Sequence, residues 1–358
     1  MRGRSEAAPS RRAMLTGAAA FSLAGCAATA RAPRPVERSA PCLARPLVDE
    51  SRLIRSVAGL RPYRASGFVV REDAVGTKRV VHNYGHGGSG VTLSWGTARL
   101  AVELGLRGHS GPVAVLGAGV VGLSTARLVQ EAGFPVTVYA EALPPHTTSN
   151  VAGGQFHPFG HYREDSVTPE WREQFRRALD FGWRRFQLLA GEDYGVRWLP
   201  TYVEATAPEV SIITGFPPVN RMLRPDEHPF AAPSVMRYDT MYVETGRYLF
   251  RLLRDLRIDG GAVRVTRIAD RAALQALPET LIFNCTGLGA RTLFDDAALT
   301  PIRGQLAVLL PQPELTYAYT IGGAYMFPRP DGVLLGGSWE RGQEDPTPQP
   351  ETIRRILE

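Results

Sequence analysis

Two glycine-rich stretches lie close together in the sequence and carry residue types that could do chemistry. The first, VVHNYGHGGSGVTLSWGTA at 80–98, combines two histidines and a tyrosine with five glycines, and the second, VAVLGAGVVGLSTA, begins fifteen residues later. Histidine is the commonest general acid or base, but a histidine among glycines is more often a buried hydrogen-bonding residue. We therefore expect His82 and His86 to be structural. No histidine or cysteine cluster has metal-ligand spacing, so no metal site is predicted.

The second stretch predicts a nucleotide-binding loop. An apolar strand runs into GxGxxG at Gly117, Gly119 and Gly122, a helix follows, and Glu141 lies nineteen residues after the last glycine. Gly117 would make a tight turn, Gly119 would admit a pyrophosphate, and Gly122 would let helix and strand pack closely. The helix N-terminus would offer free N–H groups to the phosphates, and Glu141 would accept hydrogen bonds from a ribose. This motif alone does not separate FAD from NAD.

The surrounding sequence predicts the elements that position these loops. Helical apolar spacing covers 171–190, and a strand at 236–244 precedes a second helix at 245–258. An apolar strand within 278–291 runs into a further glycine pair, and strand-like pieces separated by glycine and proline turns fill 302–342. This alternation of strands and helices predicts an α/β fold.

The composition indicates a globular protein. A chain of 358 residues with 44% apolar and 21% charged residues can bury a sizeable core, and this length predicts two domains or one large α/β unit. The formal net charge is +6, of which the arginine-rich first 26 residues carry +3. The remaining charge is too small and too scattered to indicate nucleic-acid binding.

Residues 1–26 have the layout of an export signal. Arg11 and Arg12 precede about a dozen small, mildly apolar residues that end at Cys26, a run too short to span a membrane. The SRRAML start resembles a twin-arginine signal, and LAGC resembles a lipobox whose cysteine becomes lipid-modified. We expect an exported protein, periplasmic or anchored to the membrane through Cys26, with 27–46 as a tether. Cleavage without lipid and an uncleaved cytoplasmic N-terminus remain alternatives.

Several motifs resemble one enzyme family. LRPYR at 60–64, together with the stretch at 80–98, resembles the signature of the D-amino-acid oxidase and D-aspartate oxidase family. The remaining motifs of such an oxidase are matched by VAVLGAGVVGLSTA, VYAEALPPHTTSNVAGGQFHP, NCTGLGAR, IRGQ and YMFPRPDGVLLGG. The resemblance covers nearly everything after residue 46. It implies an α/β fold with an FAD-binding Rossmann-like domain and an α+β substrate domain whose sheet is mixed or antiparallel.

The order of these motifs differs from the usual family order. In the family the RPYR and HNYGHGG segment comes last, whereas here it precedes the nucleotide-binding strand, so the sequence resembles a circular permutation. The segment LRGHSGP at 106–112 would be the new connection, and the segment that begins at Cys42 (42–64) and the end of the chain (350–358) would be neighbours on the surface. The expected organisation is a signal (1–26), a tether (27–46), the family's C-terminal segment (47–111), the first FAD-binding βαβ (112–160), a substrate region (161–240), further FAD domain (241–300) and further substrate domain (301–358).

The resemblance assigns three residues to the substrate. Arg61 would bind the α-carboxylate, because a guanidinium matches a carboxylate with two parallel hydrogen bonds and stays charged when buried. Tyr325 would donate a further hydrogen bond to that carboxylate, and the carbonyl of Gly88 would accept one from the substrate amine. From the residues alone, Arg61 could instead form a surface salt bridge and Tyr325 could be a core or lid aromatic. The family's second active-site tyrosine is replaced by Ile321, so its aromatic lid is expected to be missing or rebuilt.

The resemblance also assigns the FAD-lining residues. The loop at 117–122 would bind the pyrophosphate, and the loop at 86–92 would place a helix N-terminus near the pyrimidine ring, where reduced flavin carries negative charge. Hydroxyls at 147–149 would reach the phosphates, although these residues could equally cap a helix. The full expected set is Gly117, Gly119, Val120, Val121, Gly122, Glu141, Thr147, Thr148, Ser149, Gly154, Gln155, Gly287, His86, Gly87, Gly88, Ser89, Gly90, Val91 and Thr92.

The activity implied by the resemblance is oxidative deamination of a D-amino acid. Hydride transfer from the substrate Cα to flavin N5 would give an imine that hydrolyses to a 2-oxo acid and ammonia, and dioxygen would reoxidise the flavin with release of hydrogen peroxide. Alternatives are an exported flavin dehydrogenase with another electron acceptor and a catalytically silent flavin-binding lipoprotein. An NAD-dependent dehydrogenase would leave HNYGHGG and RPYR unexplained.

Overall fold

A computed structural model describes residues 42–358, and its strands and helices build two sheets with flanking helices. The strands are β1 (Leu53–Tyr63), β2 (Val69–Val75), β3 (Lys78–Tyr84), β4 (Val113–Leu116), β5 (Val136–Ala140), β6 (Val196–Glu204), β7 (Arg221–Leu223), β8 (Val235–Val243), β9 (Ala262–Val265), β10 (Leu281–Asn284), β11 (Thr300–Leu309), β12 (Ala318–Ile321), β13 (Ala324–Arg329), β14 (Gly332–Gly336) and β15 (Glu340–Arg341). The helices are α1 (Gly90–Gly105), α2 (Val120–Glu131), α3 (Thr148–Val151), α4 (Pro169–Leu188), α5 (Thr245–Ile258), α6 (Arg271–Gln275), α7 (Ala290–Leu293) and α8 (Pro350–Leu357).

The smaller sheet is the nucleotide-binding type that the glycine motif predicts. Its strand order is β2-β3-β10-β4-β5-β9, in which all neighbours are parallel except β2 and β3. Its central strands are apolar because both faces are covered. The loops after β3, β4 and β10 leave the same edge, since carboxyl ends of parallel strands coincide.

Helices α1, α2, α4 and α5 pack together over this sheet. The apolar side chains of α5 recur with helical spacing, so that Tyr248, Leu249, Leu252 and Leu256 are all buried on one face. These helices and the sheet enclose the largest apolar cluster of the described chain. It is the rigid base from which both glycine-rich loops project.

The larger sheet has nine strands. Its order is β1-β11-β14-β13-β12-β6-β8-β7, with β15 paired to β11, and every pairing is antiparallel except that of β12 with β6. The expected α/β fold, with one Rossmann-like sheet and one mixed sheet, is therefore confirmed. The segment 47–111 contributes to both sheets, because β1 joins the larger one whereas β2 and β3 join the smaller one.

The connection at 106–112 joins α1 to β4. Helix α1 packs on β2 and β3, and β4 lies two strands beyond β3, a lateral step of roughly 10 Å at about 4.8 Å per strand. Seven residues reach roughly 23 Å when extended, so the connection crosses that step without strain. At the other side of the molecule, Leu43 and Ala44 pack in the same apolar cluster as Ile356 and Leu357. The segments that the permuted order requires to be neighbours are neighbours.

The two predicted helices are found close to their expected bounds. The helix expected at 245–258 is α5, and the one expected at 171–190 is α4, which begins two residues earlier because Thr168 accepts a hydrogen bond from Trp171 N–H and Pro169 starts the first turn. Within the last part of the predicted tether, the Ala44 carbonyl accepts a hydrogen bond from the Tyr317 hydroxyl at 2.8 Å. That partner is distant in the chain, so no local pattern marks the contact.

The signal, the lipobox and most of the tether fall outside the described residues. Within 42–358, no helix has the length and apolar character needed to cross a bilayer.

Candidate active site

A single large cavity collects the chemistry-bearing residues. It encloses about 1030 Å³ and is lined from both sheets, by the loops after β3, β4 and β10 on one side and by β1, β11, β12 and β13 on the other. That volume is at the upper end of small-molecule sites, which run from about 300 to 1000 Å³. The cavity can therefore hold a dinucleotide and a small second molecule together.

Two helix N-termini open into this cavity. Helix α1 begins at Gly90 and α2 at Val120, both positions line the cavity, and neither helix has a capping bond from its own N-cap side chain. The Val120 N–H instead donates to the Ser149 hydroxyl at 3.0 Å. Helix N-termini carry partial positive charge and attract anions. The two glycine-rich loops thus present two electropositive ends to one cavity.

The GxGxxG loop is built without room for side chains. Gly117 has φ +103°, which favours glycine, and a Cβ there would lie 2.6 Å from the Cys285 carbonyl oxygen. A Cβ on Gly122 would overlap the carbonyl oxygen of Gly117. Gly122 therefore does not line the cavity but lets α2 pack directly on the loop, as its sequence position predicts.

Both histidines of HNYGHGG are buried and hydrogen-bonded. His82 Nδ1 lies 3.0 Å from Asn284 Nδ2, and His86 Nε2 lies 2.9 Å from the Thr97 hydroxyl. Burial lowers the pKa of His86 to about 3, so its ring is neutral at physiological pH. These contacts tie β3 to β10 and the loop to α1, which is the structural role expected for them.

Arg61 lies on β1 with its guanidinium in the cavity, and no acidic residue within 42–358 forms a salt bridge with it. Its Nη1 atom is buried, and no residue in the described range 42–358 accepts a hydrogen bond from it. The guanidinium lies against the backbone of Gly304, where a Cβ would overlap Nη2. An unpaired donor on a buried cation is costly, so the site is suited to an anion that brings its own acceptors.

Tyr325 lies beside this guanidinium. Burial raises the pKa of its hydroxyl, and the neighbouring Arg61 opposes that rise, so the phenol stays protonated and can donate. Gly336 on the adjacent strand provides the space, since a Cβ there would overlap the Tyr325 hydroxyl. Gly88 is also close, because a Cβ on it would lie 3.9 Å from Arg61 Cδ. The three residues assigned to the substrate are therefore neighbours.

Two aromatic residues that the sequence reasoning missed close the mouth of this region. The Trp339 ring centroid lies 5.0 Å from Arg61 Cζ, and the Phe159 ring packs edge-on against Trp339 at 6.3 Å. Both line the cavity at its surface, where Phe159 is 68% exposed and Trp339 is 44% exposed. Ile321 packs in the second apolar cluster, and among the described residues its neighbours Thr320 and Gly323 line the cavity in its place. The aromatic cover is thus supplied by other segments of the chain.

Most of the expected FAD-lining residues border the cavity. Gly122, Ser89 and Thr92 do not, because the Ser89 hydroxyl donates to the Phe159 carbonyl at 2.8 Å and the Thr92 hydroxyl to the His157 carbonyl at 3.0 Å. The remaining members that line it are Gly117, Gly119, Val120, Val121, Glu141, Thr147, Thr148, Ser149, Gly154, Gln155, Gly287, His86, Gly87, Gly88, Gly90 and Val91. The hydroxyl of Thr147 also donates to Asn150 Oδ1 at 2.8 Å at the start of α3, so the alternative of a helix cap holds for this residue.

A charged pair that the sequence reasoning did not find borders the same cavity. His157 Nε2 lies 2.9 Å from Glu209 Oε2, although the two residues are far apart in the chain. No local pattern around either residue marks the pair, because only the fold brings them together.

The donor set fits FAD. Glycine positions leave a cradle that a Cβ would fill. Two helix N-termini without a capping bond from their own N-cap side chains face it, and the hydroxyls of Thr148 and Ser149 border it. Glu141 lines the far end of the cavity, where its carboxylate is exposed and 3.7 Å from Arg267 Nε. An anionic pyrophosphate would meet positive helix ends, and a ribose would meet a carboxylate acceptor.

Comparison with known proteins identifies a family and individual relatives for this chain. A family model described as FAD dependent oxidoreductase (DAO) matches residues 12–104 and 112–358, and the interval between them coincides with the connection from α1 to β4. The chain is 33% identical to a D-amino-acid oxidase of Rubrobacter xylanophilus, covering 68% of this chain and 74% of that protein. It is 30% identical to a human D-aspartate oxidase, covering 68% and 73%. The crystal structure of glycine oxidase from Geobacillus kaustophilus has a similar fold, with a TM-score of 0.52 at 17% identity over 69% of this chain and 76% of that one.

Proposed function

The chain belongs to the DAO family of FAD-dependent oxidoreductases, and on that premise we propose that it oxidises a free D-amino acid at its CH–NH2 group. The products would be a 2-oxo acid, ammonia and hydrogen peroxide. The relatives that carry this proposal are an oxidase of D-amino acids and an oxidase of D-aspartate.

The buried Nη1 of Arg61, which has no hydrogen-bond partner within residues 42–358, is the observation on which the proposal rests. An amino-acid carboxylate would supply the acceptors that buried Nη1 lacks and would neutralise the charge in a partly desolvated place. Trp339 stacks over the guanidinium and limits its access to water. A substrate without a carboxylate would leave this cation unpaired, so the site favours amino acids over simple amines.

Tyr325 and Gly88 would orient the substrate around that anchor. The protonated Tyr325 hydroxyl can donate to the same carboxylate, and the exposed Gly88 carbonyl can accept from the α-amino group. Fixed points on carboxylate and amine restrict the orientation of the Cα–H bond, and such orientation makes the reaction effectively unimolecular.

FAD, when bound, supplies the two-electron acceptor for the Cα–H bond. The chain's part is to hold the substrate carboxylate and amine in place and to keep positive helix ends near the cofactor's anionic groups. With dioxygen as final oxidant, one amino acid, one dioxygen and one water give one 2-oxo acid, one ammonia and one peroxide.

The test is a panel of D- and L-amino acids mixed with the purified holoprotein without oxygen. We expect D-amino acids, and not their L-enantiomers, to bleach the flavin absorbance. Air should then restore the colour with one peroxide per substrate consumed. Bleaching by L-amino acids alone, or by none of the panel, contradicts the proposal, whereas bleaching by D-amino acids without peroxide indicates a dehydrogenase with another acceptor.

We also propose that the protein is exported through residues 1–26 and anchored at Cys26. The paired arginines and the LAGC sequence support this. Fractionation of cells and mass spectrometry of the N-terminus test it: a diacylated Cys26 in the membrane fraction is expected, and it should be lost in Cys26→Ser. An unprocessed Met1 in the cytoplasm contradicts it.

A further inference from the structure

We propose that Glu209, held by His157, is a second recognition point of the substrate pocket and selects amino acids whose side chain ends in an ammonium or guanidinium group. This inference rests on the proposed function, because it takes Arg61 as the anchor of the α-carboxylate. It adds the class of side chain, which the family membership leaves open.

The carboxylate of Glu209 borders the cavity with one oxygen engaged. Oε2 accepts from His157 at 2.9 Å, and no hydrogen bond joins Oε1 to another residue within 42–358. Each side chain of the pair is 22% exposed, so the carboxylate is partly desolvated but reachable from the cavity. A free acceptor in such a place would gain from a cationic donor.

The backbone of Glu209 is clamped, so the carboxylate is positioned rather than free. The Asn220 side chain accepts from the Glu209 N–H at 3.2 Å and donates to the Glu209 carbonyl at 2.6 Å. His157 is fixed in the same way, because its N–H donates to the Thr92 hydroxyl at 3.0 Å and its ring stacks on Tyr238 at 5.9 Å. Prior ordering of both partners lowers the entropy lost when a ligand binds.

The charge of the pair decides which side chains are accepted. Glu209 brings a carboxylate to this wall of the cavity, and its side-chain partner is a histidine rather than a lysine or arginine. Among the described lining residues the lysines and arginines are limited to Arg61, which anchors the carboxylate, and Arg267, which pairs with Glu141. An anionic side chain would meet no positive partner, whereas a cationic one would meet Oε1.

The floor of the cavity leads from the anchor to this pair. It is formed by side chains on successive strands of the larger sheet, namely Tyr325, Thr320, Val203, Met236 and Tyr238. From β13 to β8 there are three inter-strand steps, about 14 Å at about 4.8 Å each. Part of that distance is covered by the protein side chains at each end, and the remainder suits a long substrate side chain.

The experiment compares substrates that differ in the terminal charge. Anaerobic flavin reduction by the holoenzyme is measured with D-ornithine, D-lysine and D-arginine, with D-norleucine as the uncharged control of similar length, and with D-glutamate. We expect kcat/KM for the best cationic substrate to exceed that for D-norleucine by about tenfold to a hundredfold, the range of one charge-assisted hydrogen bond. In Glu209→Gln this advantage should disappear while D-norleucine changes less than about threefold.

A matched control and a binding measurement keep the result interpretable. Glu314→Gln changes an exposed carboxylate outside the cavity and should alter no substrate preference. Binding of 6-aminohexanoate and of hexanoate, followed by the flavin absorbance, repeats the comparison without turnover, and Glu209→Gln should remove the preference for the amino compound. Glu209→Arg should favour D-glutamate.

The outcomes separate this inference from the proposed function. If D-norleucine equals every cationic substrate, or if Glu209→Gln slows all substrates alike, the role of Glu209 is refuted while D-amino-acid oxidation stands. If no D-amino acid reduces the flavin, the proposed function fails. The comparison of 6-aminohexanoate with hexanoate binding still tests whether Glu209 binds a cation.

Discussion

Substitution of Gly304 by alanine tests whether Arg61 is the substrate anchor without changing Arg61 itself. Gly304 is buried on β11 and pairs with Gly59 of β1, and the Arg61 guanidinium lies over its Cα. An alanine Cβ would overlap Nη2 and lie 2.6 Å from Nη1. Ordinary contacts between such atoms are roughly 3.5–4.0 Å, so the guanidinium must move by about 1 Å.

The magnitude follows from this displacement. A misplacement of about 1 Å in a binding group can cost about a hundredfold in rate, which corresponds to about 2.7 kcal/mol. We therefore expect kcat/KM of Gly304→Ala to fall by about two orders of magnitude. The backbone of Gly304 is not in the left-handed region, so alanine suits the strand and the melting temperature should stay within a few degrees.

The assay is stopped-flow reduction of the flavin by the best substrate of the panel, with the melting temperature and flavin content measured on the same samples. Gly246→Ala is the matched control, because a Cβ there meets nothing within 4 Å and its φ is not positive. If Gly304→Ala is folded, holds FAD and keeps kcat/KM within about threefold of the wild type, the assignment of Arg61 is wrong.

Four further substitutions test separate parts of the site. Arg61→Ala should lose about 2–5 kcal/mol of transition-state binding. If the variant binds simple carboxylates as tightly as the wild type, measured from the flavin absorbance, Arg61 is not the carboxylate anchor. Trp339→Ala removes the cation–π contact with Arg61, which is worth about 0.5–2 kcal/mol, and should raise KM without changing the melting temperature. A lower melting temperature at constant KM would mean that Trp339 has only a structural role. Gly122→Ala forces α2 away from the Gly117 carbonyl, an overpacking of about 1–3 kcal/mol, and should lower the flavin-to-protein absorbance ratio after dialysis; an unchanged ratio refutes the close approach. His86→Gln should reduce the loss of folding stability in acid. Burial lowers the pKa of His86 to about 3, whereas a histidine in the unfolded chain has a pKa of about 6.5. Below pH of about 6.5 the unfolded state therefore binds one more proton than the folded state, and the free energy of unfolding of the wild type falls by about 1.4 kcal/mol per pH unit. Parallel melting curves for both proteins between pH 6.5 and 4 would contradict this.

Elements whose cause is local were predictable from the sequence. The helix at 245–258 was expected with the bounds that α5 has, because its apolar residues recur with helical period. The GxGxxG loop was expected between a strand and a helix, because close backbone approach and positive φ both demand glycine. Both histidines of HNYGHGG were expected to be structural, and they are buried and hydrogen-bonded.

Features whose cause is distant in the chain were not predictable. The Tyr317 hydroxyl donates to the Ala44 carbonyl, a contact between residues 273 positions apart that no local pattern marks. Because Ile321 replaces the family's tyrosine, the sequence did not indicate which aromatic residues border the substrate region. In the structure these are Trp339 and Phe159, which come from other segments of the chain. No periodicity or spacing links such residues, since each contact depends on how the two sheets face each other.

The sequence by itself determined that the chain has two glycine-rich loops, a helix after each of them, and an arginine in LRPYR ahead of both, but not where these lie relative to one another. Glycine conformation and apolar periodicity act over a few residues, so one chain segment is enough to reveal them. Only the tertiary structure decided that Arg61 Nη1 has no hydrogen-bond partner within the described part of the chain, because that depends on β11 presenting Gly304 rather than a larger or acidic side chain beneath the guanidinium. The tertiary structure likewise decided that Glu209 and His157 face the same cavity as Arg61.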